Sequence, residues 1–388
     1  MMNKTMTDAK IAIWGVGFEG EKLYYNLKQK GLDIVSVFDT FKEGKFHNLR
    51  IRNEHDTDEI KGMLILVSTE IYYNEIKIQF CKKGLKEFVD FIPGAMFGKK
   101  MALIHANCYG SIIREYLYSS FQFKKEYYIY NIPPIHENKN GRIESNVLKN
   151  CTVYIHQNIR ADNSYSYYLS DEYIDKQLEA GCVNIIIPNL VGMGKAFFIQ
   201  AQKTNEANRT ELKMPYGMFP YGDEGGDFIR GNETGYFIHE IISGSLYSEK
   251  EIKENFDSIF EEFDSKERKW DIRIVDYIKK NYKEKKLFYD INHPTNEVME
   301  KIATRICDLL NIPVEKLFCT MNLGAYEMPI YPEVSLTLGL KYGKANEEIR
   351  KESSLKLIEH MDLREYLLEY AFWCVAEEKE KDKSWLGQ

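Results

Sequence analysis

The stretch Ile11-Ala12-Ile13-Trp14-Gly15-Val16-Gly17-Phe18-Glu19-Gly20 decides the fold. An apolar run of strand character passes straight into glycines at G-x-G-x-x-G spacing, and Glu21 to Lys30 then reads as a helix that stops at Gly31. Working outward, Ile34 to Phe38 is a second apolar strand closed by Asp39, and Met63 to Val67 is a third. Glu70 to Lys83 has helical character up to Gly84, and Phe88 to Ile92 runs into Pro93-Gly94. Strand–helix–strand alternation with short links predicts an α/β protein with a parallel, doubly wound sheet. Residues 1–98 read as a small Rossmann-like nucleotide-binding domain. A larger α/β domain, helix-rich and open to an SGNH-like topology, is expected over 99–376, followed by a charged tail at 377–388.

In the larger segment, Met101 to His105 reads as a strand, Asn107 to Gly110 as a turn and Ser111 to Ser119 as a helix. Cys151 to His156 and Val183 to Ile187 read as further strands, and helices are expected across 249–282, 295–310 and 346–376. Residues 203–235 are rich in Gly, Asn, Pro and Tyr, and so long a loop suits a functional segment such as a lid.

Composition narrows the function classes. With 44% apolar and 29% charged residues over 388 positions, the chain can bury a core and form two domains. A net charge of −7 without a basic stripe argues against nucleic acid, whose phosphates demand clustered cations. The longest apolar stretch, 183–199, contains Pro188, Asn189 and Lys195 and does not read as a membrane span. Seven cysteines without C-x-x-C spacing fit neither a disulfide framework nor a zinc site. No metal is expected, and the setting expected is reducing and cytoplasmic. The expected partner is a small molecule or a glycan precursor.

Gly15, Gly17 and Gly20 sit between strand and helix, with Asp39 closing the next strand. Glycines there let backbone amides approach a phosphate, and the acid suits a ribose hydroxyl pair. A nucleotide or nucleotide-sugar is the expected ligand; a scaffold of the same shape that binds nothing, and NAD redox chemistry, are the alternatives.

Cys108 lies in His105-Ala106-Asn107-Cys108-Tyr109-Gly110, after a strand and before a helix. A thiol there faces the positive end of the helix dipole, a setting that suits a nucleophile, and Asn107 with nearby amides suits an oxyanion. The bland reading is a small buried hydrophobe, which is retained for the other cysteines. Support comes from Asp290-Ile291-Asn292-His293-Pro294, where proline holds His293 in an extended conformation. His293 would serve as the base of a Cys–His pair, and Asp290 is either its orienting acid or a turn residue. His105 and His156 compete for the role of base, each with a structural reading beside it. Gln157, Arg160 and Asn189, at strand ends, are placed around the pocket.

These residues belong to an ordered set. It runs from Asn107-Cys108 through Val153-Tyr154-Ile155-His156-Gln157 and Ile185-Ile186-Ile187-Pro188-Asn189. It continues with Glu267, Asp271 and Asp276, then Lys286-Leu287-Phe288-Tyr289, Asn292-His293-Pro294-Thr295 and Pro329-Ile330-Tyr331-Pro332. In that order, residues 101–345 resemble the WcbI-type capsular polysaccharide biosynthesis acetyltransferase family. The resemblance implies coenzyme A binding in a cleft and acetyl transfer from acetyl-CoA to a sugar hydroxyl, with Cys108 and His293 as the dyad. Tyr109 stands where that family usually has Gln, and Lys266 where it often has Arg. The resemblance does not reach residues 1–98. Two alternatives stay open: an SGNH-like esterase or thioesterase, and a non-catalytic protein that binds nucleotide-sugar or CoA.

Overall fold

The computed structural model describes residues 10–53, 62–200, 234–244, 246–314, 316–324, 327–344, 347–352 and 358–369. The long loop expected at 203–235 lies almost wholly outside them, and the charged tail at 377–388 wholly so.

The opening stretch folds as its pattern demands. β1 (Lys10–Trp14) turns through the glycines into α1 (Phe18–Gln29), and β2 (Ile34–Phe38) returns beside β1 in parallel. The short β3 (Lys45–Phe46) and β4 (Leu49–Arg52) extend one edge. β5 (Met63–Val67) leads into α2 (Tyr73–Lys82), and β6 (Phe91–Pro93) closes the other. The sheet order is β3-β4-β2-β1-β5-β6, with parallel pairing throughout except the β3–β4 hairpin. Because both faces are covered, the strands read as continuous apolar runs. Ile11 and Ile13 pack on one side with Leu23 and Leu27, and Ala12 and Trp14 on the other with Phe80 and Phe91.

A second sheet, ordered β10-β9-β7-β8, is built from β7 (Lys100–His105), β8 (Tyr127–Tyr130), β9 (Val153–His156) and β10 (Val183–Ile186), with β7 and β8 parallel. Met101, Leu103, Tyr128 and Tyr154 share a core with Trp14 and Phe38 of the first sheet and Phe80 of α2. That shared core is why spatial division cuts across the expected boundary at 98. One compact unit takes residues up to His105 together with Phe121–Ile155 and Ile159–Asn184.

The other unit comprises Ala106–Ser120, His156–Asn158 and the chain from Ile185 onward. It holds α3 (Tyr109–Ser119), α4 (Glu249–Glu267) and α5 (Asn296–Leu309). An aromatic cluster fills it: Phe197 stacks on Phe288 at 5.9 Å, and Phe256 lies 4.4 Å from Phe260 and 5.1 Å from Tyr282. Among the described residues, the helix expected across 346–376 is replaced by strands at Ile349–Glu352 (β11) and Ile358–Met361 (β12). The two pair antiparallel, and a helix resumes at 363–369. The Glu327 amide donates to the Arg350 carbonyl, and the Arg350 guanidinium meets the Glu327 carboxylate at 3.2 Å. Tertiary pairing thus overrides helical propensity in this segment.

Two of the fingerprint glycines are required by packing alone. A Cβ on Gly20 would lie 2.2 Å from the Gly15 carbonyl oxygen, and one on Gly15 2.5 Å from the Ser68 hydroxyl at a backbone φ of +96°. Gly17 faces open space. Gly20→Ala is therefore expected to lower the unfolding free energy by ~1–3 kcal/mol in denaturant titration, the overpacking range, while Gly17→Ala costs much less. Equal midpoints for the two variants would contradict this packing account.

Candidate active site

The residues of the cysteine site lie in the second unit. Cys108 occupies the N-cap of α3 with helical backbone angles (φ −53°, ψ −22°) and is partly exposed. Its turn is fixed from both sides. The Asn107 amide donates to the Gln157 side-chain oxygen at 3.0 Å, and the Gln157 side-chain nitrogen donates to the Pro188 carbonyl at 3.2 Å. Asn107 Oδ1 accepts from the Tyr109 amide, and its carbonyl accepts from Gly110, both at 3.0 Å. Those two amides are spent on the turn itself. Of the oxyanion donors expected from sequence, the Asn107 side-chain nitrogen and the Cys108 backbone amide take no part in these bonds.

His293 stands on a tight hairpin. Phe288 bridges Pro294, the Tyr289 amide donates to the His293 carbonyl at 2.8 Å, and the Thr295 amide donates to the Leu287 carbonyl at 2.9 Å. The tip is organised by Asp290, which is 1% exposed. One carboxylate oxygen accepts the amides of Asn292 (2.7 Å) and His293 (2.9 Å); the other meets His293 Nδ1 at 2.7 Å. Asp290 is therefore turn acid and orienting acid at once. With Nδ1 so engaged, Nε2 is left for the hydrogen bond that joins the His293 ring to the Cys108 side chain. Burial alone would lower the imidazole pKa. The hydrogen bonds and charges of Asp290 and Cys108 outweigh it and hold His293 up at about 9.

Two parts of the support escaped the sequence reading. The Tyr109 hydroxyl, fully buried, donates to the Asn292 carbonyl at 2.5 Å, so the residue after the cysteine clamps the histidine hairpin. The Gly192 amide donates to Asn292 Oδ1 at 3.1 Å, and a Cβ on Gly194 would strike the Asp290 carbonyl at 2.2 Å. The glycines of Val191-Gly192-Met193-Gly194 were the available signal; Tyr109 offered none.

The remaining candidates fall elsewhere. Asn189 is exposed and its side chain accepts from the Val191 amide at 3.3 Å. Arg160, in the first unit, is exposed and forks onto its neighbour Asp162. His105, also in the first unit, meets the Tyr154 hydroxyl at 2.7 Å, a structural pairing. His156 is buried with Nδ1 at 3.2 Å from the Gln157 carbonyl. Asp39 gives one oxygen to the Val16 amide (2.9 Å) and the other to the amides of Phe41 (2.9 Å) and Lys42 (3.0 Å), so it ties down the glycine loop. Burial pushes the Cys307 thiol up to about 12, and burial with a hydrogen bond to Glu115 does the same to Cys319. Among the described residues no three His, Cys, Asp or Glu side chains gather as a metal site, and no helix is long and apolar enough to cross a membrane.

No curated protein matches the sequence. Residues 7–88 match the family model described as C2185-like, N-terminal. The chain is similar in fold to a solved structure of WcbI, described as a novel polysaccharide biosynthesis enzyme, in its native form without a disulfide bond between coenzyme A and one of its cysteines. The TM-score is 0.54 at 16% identity, covering 72% of this chain and 90% of that one. Residues 101–315, more than half of the chain, match the family model described as polysaccharide biosynthesis enzyme WcbI, and the chain belongs to that family.

Proposed function

We propose that the chain is an acyl-CoA-dependent O-acyltransferase that acylates a sugar hydroxyl of a polysaccharide precursor. The observation that carries this reading is the Cys108–His293–Asp290 relay at the start of α3. Its residues fit the thioester end of an acyl-CoA: a partly exposed cysteine, an imidazole beside it, and the Asn107 side-chain nitrogen for the carbonyl oxygen. The solved WcbI structure, whose description concerns coenzyme A and a cysteine, supports the same choice.

With the one proton of the Cys108–His293 pair on the imidazole, the Cys108 sulfur attacks the acyl carbonyl as a thiolate, forming a new thioester as the bond to the CoA sulfur breaks. His293, protonated at neutral pH, gives its proton to the departing thiolate. The ring, now neutral, takes the proton of the acceptor hydroxyl as that oxygen attacks the acyl-cysteine. The ester leaves, and the Cys108 sulfur and the imidazolium are restored. Asp290 holds the ring and offsets its charge throughout. Water in place of the sugar would make the same relay a thioesterase. In the N-terminal segment, Asp39 is taken up by the loop, which leaves the open face at Gly17 as the support for a nucleotide or nucleotide-sugar phosphate.

Release of CoA thiol from acetyl-CoA is expected to fall by about 10³-fold or more in Cys108→Ala and in His293→Ala, the scale seen when a nucleophile or its partner is removed. Turnover retained in Cys108→Ala would end the covalent reading. Release independent of any added hexoside acceptor would favour hydrolysis.

A raised imidazole pKa also couples to stability. The protonated ring stabilises the fold fully below about pH 6.5, and this contribution drains away as pH rises through about 9. Unfolding free energy should therefore decline across that window, by on the order of a few kcal/mol, and the decline should vanish in Asp290→Asn. An NMR titration of His293 with a midpoint at or below 6.5 would contradict the relay geometry.

A further inference from the structure

The first unit contains a solvent-open cavity of about 180 Å³ whose walls come from both matched segments. α2 supplies Asn74 and Lys77, from the part preceding the WcbI match. The chain after β8 supplies Tyr130, Asn131 and Ile132, and the loop beyond supplies Asn138, Arg142 and Glu144. The cavity lies wholly among residues of that unit and uses none of the Cys108 relay.

Its floor is pre-organised. Buried Glu87 accepts the hydroxyls of Tyr73 (2.7 Å) and Tyr130 (2.8 Å) and meets Lys77 Nζ at 2.7 Å. Lys77 also donates to the Tyr130 hydroxyl and to Glu144, each at 3.1 Å, so its charge is matched by two carboxylates. Arg142 is different: it is exposed on the cavity wall, and among the described residues no acid pairs with it. Asn138 is set in place by Gly141, where any Cβ would lie 1.7 Å from its side-chain oxygen. The walls thus combine amides that donate and accept, an apolar flank at Ile132 and Pro133, and the exposed guanidinium of Arg142, set apart from the Lys77–Glu87–Glu144 cluster.

That is the chemistry of sugar recognition with an anion. A cavity of about 180 Å³ suits one sugar ring. Nucleotides and other drug-sized ligands take pockets of about 300–1,000 Å³. We propose that this cavity binds a single monosaccharide unit bearing one negative group, with Arg142 on the anion and Asn74 and Asn138 on ring hydroxyls. The proposal stands apart from acyl transfer at Cys108.

Calorimetry on the full chain with glucose 1-phosphate, glucuronic acid and glucose tests it. At least one of the two anionic sugars should bind, and the tighter of them identifies phosphate or carboxylate as the anion. Glucose should bind at least about tenfold more weakly, as should the better anionic sugar to Arg142→Ala, the scale of one charge-assisted hydrogen bond. Gly141→Ala, which displaces Asn138, should weaken binding too. Arg142 is exposed, so its variant should keep the wild-type melting temperature. No binding of either anionic sugar at millimolar concentration, equal affinity for glucose, or an unchanged affinity in Arg142→Ala would overturn the proposal.

Discussion

One carboxylate organises the candidate active site. Asp290 is buried, and a buried charge persists only where donors surround it. It finds the amides of Asn292 and His293 and the ring nitrogen of His293, all within 2.9 Å. The backbone bonds shape the hairpin tip and the ring bond turns the imidazole, so fold and chemistry draw on the same group. Gly194 allows the close approach of its loop to that tip, and the Tyr109 hydroxyl pins it from α3. The result is a thiol and an imidazole, 185 positions apart in sequence, held in contact within one compact unit.

The cost of that arrangement is paid in polar bonds made elsewhere. Gln157 takes the Asn107 amide that would otherwise go unmatched at the strand-to-helix turn and anchors it to the Pro188 carbonyl. Asp39 plays a comparable part in the first unit, where three backbone amides converge on its carboxylate. A residue type that suits ribose recognition is here also a loop anchor. Gly15 and Gly20 likewise answer to packing before they answer to any ligand.

The parallel α/β character was legible because β1, β2 and β5 are apolar on both faces and end at turn residues. Cys108 and His293 were legible because a thiol at a helix start and a histidine before proline are local signals. What resisted reading was long-range. The shared core of Trp14 and Tyr154 fuses segments that look separable along the chain. Ile349–Glu352 and Ile358–Met361 fall in a stretch with helical composition, yet the Glu327–Arg350 pairing and the β11–β12 register hold these two segments extended. Arg160 and Asn189 sit at strand ends, but position along a strand does not fix where a side chain turns, and both found neighbours on their own loops. The Tyr109–Asn292 clamp spans 183 positions and leaves no mark in any local pattern.

The proposed acyl transfer requires sulfur, imidazole and carboxylate to form one line that meets a thioester. A crystal structure of the full chain with coenzyme A tests this most directly. It should show the CoA sulfur against that of Cys108, with the His293 ring between Cys108 and Asp290. CoA bound away from Cys108, or a ring turned so that it touches only one of its two partners, would contradict it.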